Sequence, residues 1–133
     1  MLQAAASRLD AVLTTPDATI AEAMAQLDRA GTGVLVLVDE HRRLCGVVSD
    51  GDVRRAILAG TTLDTACGTI ATRTPLVVAP TIAPAEALRL MDNARGSFVN
   101  NLVVVNDDGG VVGLLLRKDL APDEWPTLSA MIM

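Results

Sequence analysis

The sequence is written twice. Pro16, Glu22, Ala23, Met24 and Leu27 recur as Pro80, Glu86, Ala87, Leu88 and Met91, all at one constant displacement along the chain. Val38, Gly46 and Asp52 recur as Val105, Gly113 and Asp119, again at one constant displacement but a slightly longer one. The second copy therefore carries three extra residues between the two blocks, placed within Arg95-Gly96-Ser97-Phe98-Val99. A duplicated unit of about 50 residues fills nearly the whole chain, so the fold must be assembled from two like halves.

Composition decides what those halves can be made of. Half of the 133 residues are apolar but only 2% are aromatic, with one Phe, one Trp and no Tyr, so the core must come from Ala, Val, Leu, Ile and Met. Stacking platforms for single-stranded nucleic acid are thereby excluded. A net charge of −5, with 11 Lys and Arg spread along the chain, also argues against a phosphate-backbone binder, and no nucleic acid partner is expected. The longest strongly apolar run, Val34 to Val38, is far short of the ~18 residues of a membrane span, so no membrane partner is expected either. Met1 to Arg8 lacks the basic and apolar regions of a signal peptide, which makes a cytoplasmic location the expectation. Cys45 and Cys67 stand far apart in the chain, with His41 as the only histidine. That is no metal-ligand spacing, and both read as small apolar residues.

Local signals place the elements. Thr19-Ile20-Ala21-Glu22 is a capping box, opening a helix with Ile20, Ala23, Met24 and Leu27 on one face. The second copy has Ala83 at the cap but Pro84 at the first helical position, where its fixed φ suits a helix start. Val34 to Val38 reads as a strand buried on both faces, followed by the polar loop Asp39 to Arg43 and a strand from Leu44 to Val48. Leu102 to Val105, the loop Asn106 to Gly110 and Val111 to Leu115 repeat it, with the Gly109-Gly110 pair expected to supply positive φ. A further helix is expected from about Asp50 to Ala59, stopped by Gly60.

Element order, doubling and local signature together resemble the paired cystathionine-β-synthase (CBS) domain. The residues that carry the resemblance are Gly46-Val47-Val48-Ser49-Asp50-Gly51-Asp52-Val53-Arg54-Arg55, which fit that family's Gly, two apolar residues, Ser/Thr, two variable residues and Asp. The second copy, Gly113-Leu114-Leu115-Leu116-Arg117-Lys118-Asp119, keeps the Asp but has Leu116 in place of the hydroxyl. The resemblance implies an α+β fold, a tandem CBS pair of two β-α-β-β-α repeats packed with pseudo-twofold symmetry. The expected divisions are 1–60 for the first repeat with its N-terminal segment, 61–75 for a connector, 76–122 for the second repeat, and 123–133 for a C-terminal linker or the start of a catalytic domain.

The same resemblance implies a regulatory, non-enzymatic module that binds AMP, ADP, ATP or a nucleotide sugar and needs no cofactor or metal. It implies a homodimer, attached to or partnered with a sugar-1-phosphate nucleotidyltransferase or a sugar-phosphate isomerase, the former being the expected enzyme. Val47, Ser49, Asp50, Asp52 and Asp119 are the implied nucleotide-binding residues. Asp52 would accept from ribose hydroxyls, and the helix N-terminus at Ser49 would offer N–H donors to a phosphate. Arg54, Arg55, Arg117 and Lys118 follow the two motifs and would meet phosphates or an acidic partner. Another meaning of the motif stays open: Ser49-x-x-Asp52 is itself a capping arrangement, and the module would then be a ligand-free dimerisation scaffold.

No Ser/His/Asp set, phosphate-cradling Gly-rich loop or close carboxylate pair can be assembled from these residues. Gly31-Thr32-Gly33 precedes a strand instead of following one and reads as a loop. The last five residues, Ser129 to Met133, resemble the opening strand of sugar-1-phosphate nucleotidyltransferases, which would make Pro122 to Leu128 a hinge. They could equally be an apolar tail.

Overall fold

The computed structural model describes residues 1–93 and 99–120. Two short helices, α1 (Leu2–Ser7) and α2 (Leu9–Val12), lead into the first repeat: β1 (Leu13–Thr14), α3 (Ile20–Ala30), β2 (Val34–Val38), β3 (Leu44–Ser49) and α4 (Asp50–Leu58). A 3-10 turn at Cys67–Thr69 lies in the connector. The second repeat follows with β4 (Val77–Val78), α5 (Pro84–Asp92), β5 (Asn101–Val105), β6 (Val111–Leu116) and a 3-10 turn at Arg117–Leu120. The described part of the helix expected after the second motif is that turn; Leu116 offers no side-chain oxygen to cap it. The three-residue insertion and the C-terminal pentapeptide lie largely or wholly outside the described residues.

The sheets of the two copies repeat pair for pair. Each copy forms a three-stranded sheet, β1-β2-β3 and β4-β5-β6, with the first pair parallel and the second antiparallel. In the first, Val34 pairs with Ser49, Leu37 with Gly46 and Val38 with Leu44, with the register slipping between Leu37 and Val38. In the second, Asn101 pairs with Leu116, Val104 with Gly113 and Val105 with Val111, with the slip between Val104 and Val105. The hairpin loops match as well. The Asp39 carboxylate accepts from the N–H groups of His41 and Arg43, and the Asn106 side chain accepts from those of Asp108 and Gly110. Of the Gly pair, only Gly109 has positive φ, at 85°; its counterpart in the first loop is Arg42, at 64°. One left-handed residue suffices because the side-chain acceptor holds the rest of the turn.

An isolated antiparallel bridge joins Arg43 to Gly110, which occupy the same position in the two copies. Equivalent residues can pair with each other only across a twofold relation, so this bridge marks the pseudo-symmetry axis. The cores meet across it. Leu102, Val104 and Leu115 pack with Ala87 and Met91 of α5, while Val103, Leu114 and Leu116, on the opposite strand faces, join the cluster around Leu35, Val36 and Val48 of the first repeat. β2 is buried along its full length, as its unbroken apolar run requires.

The segments that lead into each repeat cross over. α1 packs on β6, with Ala5 so close to Gly113 that a Cβ there would sit 3.2 Å from Ala5 backbone. The connector lies on β3: Val47 N–H donates to Thr72 O at 2.9 Å and Thr72 N–H to Val47 O at 2.8 Å. Upstream, carbonyls of Leu63 and Thr65 take the first two N–H groups of α3, and Cys67 is fully buried below. The connector is thus bonded to the first repeat through Leu63, Thr65, Cys67 and Thr72.

Candidate functional site

β3 runs straight into α4, and the junction places Ser49 at the helix cap in extended backbone. Ser49 Oγ accepts from Asp52 N–H at 3.1 Å, and Asp52 Oδ2 accepts from Ser49 N–H at 2.9 Å. This reciprocal box commits one oxygen of the carboxylate to the backbone. The other, Oδ1, takes a single bond of 2.7 Å from Arg55, whose side chain is 72% exposed, whereas Asp52 is 11% exposed. Such a pair, half in solvent, holds weakly.

In the second repeat Asp119 stands where Asp52 stands in the first. Its Oδ2 accepts from Leu116 N–H at 2.8 Å, the backbone half of the same box, and Leu116 supplies no hydroxyl in return. Its outer side is closed by Arg8. Nη1 donates to Oδ2 and to Leu114 O, and Nη2 donates to Oδ1 at 2.9 Å. The side chains of Arg8 and Asp119 are 15% and 4% exposed. Burial alone would raise the Asp119 pKa, but the bonds from Arg8 and from Leu116 N–H outweigh it and hold the carboxyl below its ordinary value.

The remaining predicted residues fall in different places. Val47 is buried with both backbone groups spent on Thr72. Asp50 N–H donates to Gly33 O at 3.1 Å. Arg54 and Asp50 line an open groove of about 1000 Å³ between α3 and α4, with Met24, Gly33 and Ile57. Arg117 and Lys118 instead line a cleft of about 240 Å³ between the repeats, facing Gly31 and Thr32 of the first and Asn100 and Asn101 of the second. Arg117 is tied down there, donating to Asn100 Oδ1 at 3.0 Å and Asp92 Oδ1 at 2.8 Å. The structure brings Arg117 and Lys118 together and puts Arg54 in the separate groove, the two sharing Gly31 and Thr32 in their walls.

Sequence reasoning missed Arg8, Gly31, Thr32 and Asn100. Gly31 and Thr32 could have been found, because Asn100 holds in the second copy the place of Gly33 in the first, leading to β5 as the Gly31–Gly33 loop leads to β2. Arg8 carried no signal.

The site offers hydrogen-bond acceptors and cations and no reactive group. Burial pushes both thiols, Cys45 and Cys67, above their ordinary pKa, which withholds thiolate. Among the described residues no group of His, Cys, Asp or Glu could hold a metal ion, and no buried side-chain oxygen or nitrogen lacks a partner. No described helix is long and apolar enough to cross a membrane.

Comparison with known families settles what the doubled fold is. The model of the CBS domain matches twice, over residues 6–59 and 67–122. This chain belongs to the CBS-domain family. It is a tandem CBS pair, a regulatory type of module. The pair is 35% identical over 99 residues to arabinose 5-phosphate isomerase KdsD of Pseudomonas aeruginosa, covering 74% of this chain and 29% of that protein. It spans about a third of the length of the curated relatives it matches. Among solved structures, the CBS domain protein PAE2072 from Pyrobaculum aerophilum complexed with AMP superimposes with a TM-score of 0.75 at 29% identity, covering 92% of each chain. CBSX2 of Arabidopsis thaliana in complex with AMP gives a TM-score of 0.69 at 25% identity, covering 90% of this chain and 87% of that one. Of the two expected attachments, these relatives support the sugar-phosphate isomerase and not the nucleotidyltransferase.

Proposed function

We propose that this CBS pair is a regulatory module that takes one adenine nucleotide at the Ser49–Asp52 corner and modulates an attached or partner sugar-phosphate isomerase. The observation that carries this reading is Asp52 Oδ1, an oxygen of a largely buried side chain whose only partner among the described residues is the solvent-exposed Arg55. A ribose diol can replace that one surface bond, and bonds to an ionised acceptor are the stronger kind. Arg55, once released, would be free to meet the phosphate. The complex of PAE2072 with AMP supports the ligand class, and the match to KdsD supports the enzyme class. Regulation follows if the ligand binds two conformations unequally.

Thermal-shift and calorimetric titration with AMP, ADP, ATP and nucleotide sugars tests this. An adenine nucleotide at 100 times its Kd should stabilise the fold by ~2.7 kcal/mol. Asp52→Asn should weaken binding by about 5- to 30-fold while changing stability by under ~1 kcal/mol. A chain stabilised by no member of the panel overturns the reading.

A second reading has its own support. Met24, Ile57, Leu58 and Leu63 are exposed apolar residues on and beside the α3/α4 groove, as a self-associating scaffold would require. Symmetric pairing of two copies would cover them. Sedimentation that finds only a 13.9 kDa monomer at micromolar concentration excludes this second reading.

A further inference from the structure

The two motif carboxylates share a backbone bond and differ in what closes their open side, and that difference has a direction. At Asp52 the closing group is a surface arginine making one bond. At Asp119 it is Arg8, which spends three hydrogen bonds and is itself mostly buried. A guanidinium lying flat against a carboxylate presents two parallel donors to its two oxygens. Two cis hydroxyls of a ribose would present donors to the same acceptor. Arg8 therefore stands where a diol would stand.

We infer that Arg8 is an internal occupant of the second repeat's ligand position, so that a diol-bearing nucleotide binds at Asp119 only by displacing the Arg8 guanidinium, which also anchors the end of α1. This rests on the proposed role of the motif carboxylate as a ribose acceptor. Arg8 also helps to hold α1 in place. It sits between α1 and α2, its backbone N–H bonds Ala4 O, and the adjoining Ala5 is wedged against Gly113 of β6. Leaving Asp119 means giving up three bonds around a carboxylate that solvent scarcely reaches. The closed form lowers the apparent affinity of this site by the fraction of molecules that are open. By linkage, a nucleotide that does bind there favours the released Arg8, and with it a loosened end of α1, by the same factor. The second site is thus a sensor whose moving part is Arg8.

The test is calorimetry with AMP on the parent chain and on Arg8→Met, which keeps an apolar stem and removes every donor. The parent should bind near one AMP per chain, through Asp52. Arg8→Met should gain a second event, tightened by more than about tenfold in apparent Kd over any second-site binding of the parent, and Asp119→Asn should abolish it. Arg8→Lys, which keeps a cation on Asp119 with fewer bonds, should fall between and guards against a variant that fails to fold. Amide exchange gives an independent readout: in Asp52→Asn, millimolar AMP should speed exchange at Ala5 to Arg8. If a folded Arg8→Met and Arg8→Lys bind AMP as the parent does, whether once or not at all, Arg8 occupies nothing and the inference fails. If the parent binds none and Arg8→Met binds one, the inference stands and the reading at Asp52 falls.

Discussion

The first repeat holds its motif with side chains of its own, Ser49 and Arg55, whereas the second holds its motif with a residue from outside the repeat. Strand registers, bulges and loop acceptors are the same in both. Duplication has therefore kept the backbone ladder and let the ends of the ladder diverge. The lesson is that a repeated fold does not make two equal sites: the surroundings of one carboxylate, set by segments outside the repeated unit, decide which is available.

The comparison is broken most directly at the carboxylates. Asp119→Ala leaves Arg8 buried without its partner and should cost ~3 kcal/mol, at the low end for a buried pair because Arg8 retains some solvent. Asp52→Ala loses a box member and a surface pair and should cost ~1 kcal/mol. Equal losses in urea denaturation would show that the two ends are held alike.

Acid attacks the same contact. The folded pKa of Asp119 lies below the unfolded one, so its contribution is fully present above the unfolded value and is lost as pH falls through the folded value. The window opens below about pH 4. Asp119→Asn should lose this component of the stability profile, and a variant with an unchanged acid limb would place the titration elsewhere.

The equivalent glycines sharpen the comparison from the covering side. A Cβ on Gly46 would lie 2.7 Å from Thr72 O, and one on Gly113 would lie 3.2 Å from Ala5. Gly46→Ala should cost ~2 kcal/mol, since the connector is bonded at both ends of the contact. Gly113→Ala should cost ~1 kcal/mol because its approach to Ala5, at 3.2 Å, needs only a few tenths of an ångström of give. Thermal melts that rank them the other way would make α1 the more rigid cover.

The smallest effects are at the helix caps. Thr19 completes a capping box with Glu22, while Ala83 has no side-chain bond to give and leaves Glu86 without a partner in the box. Thr19→Ala should lose ~1 kcal/mol, and Ala83→Ser should gain ~0.5 kcal/mol. A cap installed without gain would mean that Pro84 already fixes that helix start.

Most of the ladder was legible because its signals are local and each appears twice. The run Val34–Val38, the cap at Thr19 and the turn acceptors are short-range patterns, and agreement between copies removes chance. The motif pairing of Ser49 with Asp52 was legible as a capping box for the same reason. What stayed hidden joins distant parts of the chain. Arg8 and Asp119 lie near opposite ends of the described chain, and nothing in the Ala-rich stretch around Arg8 points to a carboxylate. The packing of the connector was hidden as well, because Thr-rich sequence carries no apolar period to show that Thr72 extends the edge of β3 and Cys67 fills a core position.

The crossing of the lead-in segments also sets how the molecule would carry a load. Tension applied at the first residues is borne at once by β6 and Asp119, near the other end of the chain, and only afterwards by β1. Tension on the connector is borne by β3, through the paired bonds between Val47 and Thr72. Each repeat is therefore anchored by its neighbour's tether, and a pull on either one tightens the molecule across its symmetry axis before it can peel a strand.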